Sequence, residues 1–282
     1  MSTYYEIEIF TDTPGHGNPA GVVVSDSPVD DADQRAWSER VRKPGNGFVW
    51  PAGAKWHARF HTPGREVGLS GHTSLACAHA VMPPGAKRVT LLSRTAELEF
   101  EQDDEALWLT LPRPRVERDE APLARVAHAL RLEADELVHS VGAVKTNDGD
   151  LLLMLAPEVD ILAIQPDFEA LGALGNELGN RGFCVFTQTV KDLGSTVQSR
   201  FFGPHLGLQE DVATGSVHGP LILHLWELGR VRAARPVMRF VGEQGDALGR
   251  PCRIRVEMTT DDGALLRMRV GGAVVTVSQQ PA

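Results

Sequence analysis

The sequence contains one pattern twice, and this repeat limits the architectures that the chain can adopt. In the first half, Arg59-Phe60-His61-Thr62-Pro63 is followed by an acid-bearing loop, by Gly71-His72 and by an apolar helix. In the second half, Arg200-Phe201-Phe202-Gly203-Pro204 is followed by the same features, with the helix beginning at Gly215-Ser216. A helix that is apolar on nearly all sides is typically buried. The repeat therefore predicts two similar halves, each with a sheet wrapped around one central helix.

Chain length and one proline-rich, charged stretch indicate the domain organisation. The chain has 282 residues, which is typical of two domains or one large one. The stretch from Pro112 to Pro122 is rich in proline and charge and is predicted to link them. We expect domains at residues 1–115 and 116–282, with the last strand a candidate to return to the first domain. Strands and helices are mixed without strict alternation, which favours an α+β fold over a doubly wound sheet.

Local patterns predict most of the elements. Ser27 is expected to cap a helix with Pro28 at its first position, and the breakers of Pro44–Gly47 are expected to end it. A shorter helix is predicted at Leu123–Leu130. Alternating or β-branched segments predict strands at Tyr5–Phe10, Val22–Val24, Val89–Leu92, Glu97–Phe100, Leu107–Leu111, Leu151–Leu155, Phe183–Thr187, Val197–Phe202, Val237–Val241, Arg253–Glu257, Leu265–Val270 and Val274–Val277.

Composition excludes several classes of function. The net charge of −9 argues against nucleic acid as a partner, because phosphate binding relies on clustered positive charge. No apolar stretch is long enough to span a membrane, and the N-terminus does not resemble a signal peptide. A cytoplasmic protein is expected. The three cysteines are far apart, so neither a disulfide framework nor a zinc pattern is expected, and Cys77 is interpreted as a buried thiol.

Both predicted buried helices begin with small residues, Ser70-Gly71-His72-Thr73 and Thr214-Gly215-Ser216. A helix N-terminus offers backbone N–H groups and the positive end of the helix dipole, and glycine lets a ligand approach closely. Two such ends could hold a substrate carboxylate. The alternative is that Ser70 and Thr214 are ordinary N-caps. The matched pair favours the anion site, with a small carboxylate-bearing substrate as partner.

Titratable residues stand next to both helix starts. His72 lies in the first turn of its helix, where a neutral imidazole can give or take a proton; the alternative is a structural histidine. Glu210-Asp211 precedes the other helix and could act as a base or bind an ammonium group; the alternative is a capping acid. Glu66, before the first helix, is interpreted as loop scaffolding.

The other histidine pairs and the known cofactor and hydrolase motifs give no evidence for a further site. The pairs His57/His61 and His72/His79 lack zinc-ligand spacing, so no metal site is expected. The sequence has no Gly-x-Gly-x-x-Gly, no Walker loop and no Gly-x-Ser-x-Gly. Nucleotide cofactors and serine hydrolase chemistry are therefore disfavoured, and no cofactor is expected.

Taken together, several segments resemble the PhzF-like family, named for a phenazine-biosynthesis isomerase and structurally similar to diaminopimelate epimerase. The matching segments occur in family order and cover almost the whole chain. They are Phe10 with Gly17-Asn18-Pro19, Arg59-Phe60-x-Thr62-Pro63-x-x-Glu66-Val67-x-Leu69-x-Gly71-His72-Thr73, Ser199-Arg200-Phe201-Phe202-x-Pro204, Glu210-Asp211-x-x-Thr214-Gly215-Ser216 and Gln244-Gly245-x-x-x-Gly249-Arg250-Pro251.

The resemblance implies two pseudo-symmetric domains with the active site between them, cofactor-independent proton movement on a small carboxylate, and a homodimer. It implies catalytic roles for His72 and Asp211. The two cysteines of the epimerase would fall at Ser70 and Thr214, so racemisation by two thiols is not available. The substrate-binding residues that we carry over or infer are Asn18, Ser70, Gly71, Thr73, Thr214, Gly215 and Ser216.

One departure from the family pattern is large. Family members usually carry Ser-Glu-x-x-Phe-Val after the first long helix, and that glutamate shuttles the proton in the phenazine enzyme. Here Phe48-Val49 is present, but Gly45 stands where the glutamate is expected. We expect an isomerase that moves a double bond in a small unsaturated carboxylic or amino acid, in an antibiotic-type pathway. The alternatives are a non-catalytic anion-binding protein, or a lyase or hydratase.

Overall fold

The computed structural model describes residues 2–62, 65–232 and 235–282, so Pro63 of the first repeat lies outside the described residues. The architecture is mixed α+β, as predicted. Two compact units can be distinguished. The first contains the described residues up to Thr110 together with Arg269–Ala282, and the second contains Leu111–Met268. Within the described ranges, no helix is long and apolar enough to cross a membrane.

The elements of the first unit are mainly strands, with two helices. The strands are β1 (Ser2–Ile9), β2 (Asn18–Ser25), β3 (Gly45–Ala52), β4 (Lys55–Thr62), β5 (Arg65–Val67), β6 (Arg88–Leu92), β7 (Glu97–Gln102) and β8 (Leu107–Thr110). The helices are α1 (Asp31–Val41) and α2 (Gly71–Val81).

The second unit has a similar composition of elements. Its strands are β9 (Val116–Asp119), β10 (Ala143–Thr146), β11 (Asp150–Met154), β12 (Gly182–Thr187), β13 (Val197–Gly203), β14 (Leu208–Asp211), β15 (Val237–Gln244), β16 (Cys252–Asp261) and β17 (Ala264–Gly272). Its helices are α3 (Leu123–Leu130), α4 (Phe168–Leu178) and α5 (Gly215–Glu227). The last residues of β17 and the final strand β18 (Val274–Pro281) belong to the first unit.

The strand pairing repeats between the units. In the first, β2 and β3 are parallel, β3 and β4 antiparallel, β4 and β5 antiparallel, β4 and β6 parallel, and β6 and β7 antiparallel. In the second, the same five relations join β11, β12, β13, β14, β15 and β16. The repeat seen in the sequence therefore corresponds to a repeated topology.

The central helices are buried in both units. In α2, every side chain from Thr73 to Ala78 is buried, and Cys77 is fully covered. Burial raises the pKa of the Cys77 thiol, in agreement with its interpretation as a buried thiol. In α5, the residues from Val217 to Leu225 are all buried. Each helix lacks a polar face because the surrounding strands cover it on several sides.

One local prediction near α1 is wrong. The helix begins at Asp31, and its N-cap is Asp30, whose carboxylate accepts from the N–H groups of Ala32 and Asp33 at 2.8 and 3.0 Å. Ser27 is therefore not the cap. The helix ends at Val41, before the breakers of Pro44–Gly47, and β3 begins at Gly45. A Cβ at Gly47 would collide with Cys77 Sγ, so glycine here permits close packing of strand on helix.

The second unit contains four elements that were not predicted from the sequence, namely β9, β10, β14 and α4. The stretch from Pro112 to Pro122 contains β9, which pairs antiparallel with β10 and is therefore not only a linker. Helix α4 was not predicted. Together, α3 and α4 pack on one face of the sheet through Val126, Leu130 and Leu171, while α5 packs on the other face through a separate cluster. The predicted bounds of α3 are confirmed.

Candidate functional site

The strand register shows which residues near the starts of α2 and α5 are equivalent in the two units. In the first unit Val67 is the pairing partner of Phe60 across β4 and β5. In the second unit Asp211 is the pairing partner of Phe201 across β13 and β14. The repeat thus places a carboxylate at the Asp211 position in one unit and an apolar valine in the other. Likewise His72 stands at the second helical position of α2, where α5 has Ser216.

The glutamates that precede these positions are structural. Glu210 accepts two hydrogen bonds from Arg200, each 2.8 Å long, and both side chains are only 7% exposed. Its counterpart Glu66 accepts from Arg94 Nε at 2.7 Å and lies 3.8 Å from Arg59 Nε. Both loops are therefore anchored by ion pairs, as the scaffolding interpretation of Glu66 anticipated. Because Glu210 is paired with Arg200, Asp211 remains the candidate acid–base residue of the two.

At the start of α2, polar side chains contact one another rather than capping the helix. Ser70 is the N-cap, but its Oγ lies 2.8 Å from Thr73 Oγ1. Thr73 Oγ1 in turn lies 3.4 Å from His72 Nε2. Ser70, Gly71 and His72 are partly exposed, whereas Thr73 is fully buried. The ordinary N-cap interpretation of Ser70 is therefore wrong, and the first turn of α2 is not capped by that hydroxyl.

Gly45 is in contact with this same turn. A Cβ built at Gly45 would fall on Thr73 Oγ1 and lie 2.6 Å from His72 Nε2. Real Cβ atoms do not approach so closely, so any side chain at position 45 would displace His72 and Thr73. The space beside Gly45 is therefore taken at least in part by the chain's own side chains.

At the start of α5, a hydrogen-bonded group surrounds Asp211. Thr214 is the N-cap, but its Oγ1 donates to Asp211 Oδ2 at 2.7 Å instead of accepting from the helix backbone. Gln244 holds both ends of the loop, because its Nε2 donates to the Asp211 carbonyl at 2.9 Å and its Oε1 accepts from Thr214 N at 3.0 Å. The carboxylate is thus fixed beside the N-terminus of α5. The ordinary N-cap interpretation of Thr214 is also wrong.

A buried histidine of α5 forms a hydrogen bond with the loop that carries Asp211 and Thr214. His218 is fully buried, and its Nδ1 lies 2.9 Å from the Thr214 carbonyl, to which it donates. Its Nε2 lies 3.3 Å from Ser199 Oγ. Burial lowers the pKa of His218 to about 4, although the hydrogen bond to Thr214 opposes this shift. The ring is therefore neutral near pH 7 and acts as a fixed donor to the N-cap carbonyl.

An arginine lies next to Ser216. Arg181 Nη2 donates to Ser216 Oγ at 3.0 Å, and its Nε donates to Asp150 Oδ1 at 2.7 Å. A second bond joins Arg181 Nη2 to Asp150 Oδ2. Asp150 is almost completely buried, whereas the Arg181 side chain is 36% exposed. A partly exposed guanidinium, paired with Asp150, therefore lies beside the positive end of α5.

The predicted site residues fall into two groups within their own units. In the first group, Thr73 contacts both Ser70 and His72 at the start of α2. The second group consists of Asp211, Thr214, Gly215 and Ser216 at the start of α5. Asn18 is fully buried at the first position of β2, opposite Ile9. Across the described ranges, no three His, Cys, Asp or Glu side chains are grouped as metal ligands would be.

Three residues that contribute to the group around the start of α5 are not predicted as site residues from the sequence. Gln244 was noted only as part of a matching segment, and Arg181 was not noted at all. His218 belongs to no recognisable motif in the sequence, although it lies one helical turn after Thr214, where its ring can reach the Thr214 carbonyl. That spacing was the available signal. The contacts of Gln244 and Arg181 join distant parts of the chain, so no local pattern indicates them.

Comparison with known proteins finds similarities in both sequence and fold. Residues 7–280 match a family model described as phenazine biosynthesis-like protein. The chain is 28% identical to the uncharacterized isomerase YddE of Salmonella typhimurium, with 96% of this chain and 95% of the relative covered. It is 32% identical to an uncharacterized isomerase of Pseudomonas aeruginosa, with coverages of 78% and 79%. A PhzF-family phenazine biosynthesis protein of Bacillus anthracis has a similar fold, with a TM-score of 0.88 at 20% identity over 100% and 99% of the two chains.

Proposed function

Because this chain belongs to the phenazine biosynthesis-like family, we propose that it is a cofactor-independent isomerase that moves a proton within a small unsaturated carboxylic or amino acid. The departure at Gly45 suits a specialised substrate, and we extend the proposal to an antibiotic-type pathway and to a homodimer.

The observation that carries the proposal is the position of Asp211. Its carboxylate is oriented by Thr214 and stands beside a helix start whose N-cap hydroxyl is turned away from the backbone N–H groups. Those N–H groups, with Arg181 next to Ser216, favour an anionic ligand at this end of α5. A base and an anion site therefore occur together.

This arrangement supports a defined proton transfer. The Asp211 carboxylate removes a proton from a saturated carbon next to the substrate's double bond, which is conjugated with the substrate carboxylate, and Asp211 becomes a carboxylic acid. The electron pair of the broken C–H bond delocalises toward the substrate carboxylate, and the helix N–H groups stabilise the added negative charge. Return of a proton to a different carbon shifts the double bond. His72 is the second acid–base group in this proposal, because it stands at the equivalent helix start.

Deuterium incorporation tests the proposal. A panel of small unsaturated carboxylic and amino acids is incubated with the protein in D₂O, and products are read by NMR and mass spectrometry. We expect deuterium at a carbon and no gain or loss of water, with incorporation abolished in Asp211→Asn and retained in Asp104→Asn, a matched change in an exposed turn. We also expect His72→Ala to reduce both incorporation and ligand affinity.

One observation favours a second candidate, a non-catalytic anion-binding protein. No carboxylate is present at position 45, and the space there is taken by Thr73 and His72. Saturable binding of a panel acid without any deuterium exchange would support this candidate instead. A product that differs in mass by one water would indicate a lyase or hydratase.

A further inference from the structure

The second unit contains an open cavity of about 250 Å³ that the proposed chemistry does not use. It lies between the 157–161 loop, the end of β12 with the residues that follow it, and the start of β13. Its lining residues are Pro157, Glu158, Val159, Asp160, Ile161, Thr187, Thr189 and Gln198. Ser199, the next residue of β13, contacts His218 of α5. Since successive strand residues face opposite sides, Gln198 and the cavity lie on the sheet face away from α5.

Gln198 is the reason to regard this cavity as a ligand site. The residue is only 6% exposed, yet its Nε2 finds no hydrogen-bond partner within the described ranges. A buried donor without an acceptor destabilises the folded state by roughly 1–3 kcal/mol, so such groups usually have a partner. Because Gln198 lines the cavity and the terminal torsion of a glutamine side chain is soft, a rotation of the amide can bring Nε2 to an acceptor oxygen of a molecule that occupies the cavity.

The charged residues that line the cavity indicate which charge a bound molecule should have. Glu158 and Asp160 supply two carboxylates, and no lysine or arginine is among the described lining residues. Asp160 is held in place because its Oδ1 accepts from Leu162 N at 2.9 Å. Two carboxylates in one cavity favour a cation and disfavour an acid. We propose that this cavity binds a small molecule that carries a protonated amine together with a carbonyl or hydroxyl oxygen.

The wall of the cavity is preorganised. Arg200 Nη1 donates to the carbonyls of Ile161 and Ile164 at 3.1 and 2.7 Å, while the rest of its guanidinium is held by Glu210. The loop that carries Asp160 is therefore anchored before any ligand arrives. A preformed site loses little conformational entropy on binding, which favours affinity for a small molecule. This inference is independent of the proposed isomerase activity.

Calorimetric titration with glycinamide tests the proposal, because glycinamide has a protonated amine and a carbonyl oxygen. We expect saturable binding to the wild-type protein, with acetate and propylamine, each lacking one of the two groups, at least tenfold weaker. Gln198→Leu should weaken glycinamide binding at least tenfold. Gln165→Leu, the same change at an exposed residue outside the cavity lining, should leave binding unchanged.

A second variant protects the test against misfolding. Glu158 is exposed, so Glu158→Gln should retain the fold and lower glycinamide affinity by removing one carboxylate. The proposal is overturned if glycinamide shows no saturable binding to the wild type. It is also overturned if a folded Gln198→Leu, or Glu158→Gln, binds glycinamide as tightly as the wild type.

Discussion

The Thr214 hydroxyl donates to Asp211 Oδ2 over 2.7 Å, so the N-cap residue of α5 orients a carboxylate instead of capping its own helix. In α2 the corresponding Ser70 hydroxyl contacts Thr73. In both units a residue type that normally satisfies a helix end makes its side-chain hydrogen bond elsewhere, and we propose that a ligand satisfies the helix end instead. This is the physical basis for assigning the two helix starts to one proposed function.

The Thr214 hydroxyl should matter for rate more than for stability. Thr214→Val keeps the shape of the side chain but removes the hydrogen bond to Asp211, so the carboxylate loses its fixed orientation. We expect the rate of deuterium incorporation to fall about tenfold and the free energy of unfolding to change by about 1 kcal/mol. Thr214→Ser restores the hydroxyl and should restore the rate. Equal rates in the valine and serine variants would argue against the orienting role.

Glu210 and Asp211 are adjacent in the chain, but removing the charge of each should change the free energy of unfolding by different amounts. Glu210→Gln leaves Arg200 buried without its counter-ion, which should lower the free energy of unfolding by about 3–5 kcal/mol. Asp211→Asn removes a partly exposed carboxylate that is bound by a hydroxyl, so it should change stability by about 1 kcal/mol while abolishing exchange. Urea denaturation of both variants measures the contrast. Similar losses of stability would show that the two residues do not have separate roles.

Substitution at Gly45 should disturb His72 even without added charge. A methyl group at this position overlaps Thr73 Oγ1 and approaches His72 Nε2, so Gly45→Ala should shift the His72 imidazole signals in NMR spectra and reduce exchange. Gly194→Ala is the control, because nothing lies within 4 Å of a Cβ there.

Gly45→Glu extends this test. The glutamate should lower the affinity for a panel acid by both steric displacement and like charge, and it should not raise the exchange rate. A gain in exchange in Gly45→Glu would instead identify the wild type as a protein that lacks its base.

His218 should make stability depend on pH. Its pKa is about 4 in the folded state, against 6.5 as its ordinary value, because it is buried. The unfolded state therefore binds more protons than the folded state between these values, and stability falls as pH decreases from about 6.5 toward 4. The loss attributable to this residue is roughly 3 kcal/mol at the acid end.

The measurement is the free energy of unfolding in urea at pH 7 and at pH 4.5 for the wild type and His218→Gln. The variant should be less stable than the wild type at pH 7 and should show a smaller loss on acidification. Other buried histidines, such as His61, whose pKa is also lowered by burial, contribute equally to both proteins and cancel in the comparison. An unchanged pH dependence in His218→Gln would contradict the prediction.

Much of the fold was readable from the sequence because it depends on local periodicity. The α+β class, the strand cores and the bounds of α3 follow from the spacing of apolar residues, and the structure confirms them. The family resemblance is likewise confirmed by the family model and the curated relatives. The repeated helices that begin with glycine are sufficient to indicate His72 and Asp211 as candidate catalytic residues.

Tertiary contacts decided the remainder, because they join residues that are far apart in the chain. Gly45 and Gly47 follow the end of α1, as helix breakers would, but they lie in strand β3, where the absence of a side chain leaves room for α2. Ser70 and Thr214 look like caps, but Thr73 and Asp211 engage their hydroxyls. Gln244 lies 30 positions after Thr214, and only the folding of β15 beside that loop brings its amide into contact with both Thr214 and Asp211. Local sequence therefore determined which residues could form a site, and long-range packing determined how they are oriented.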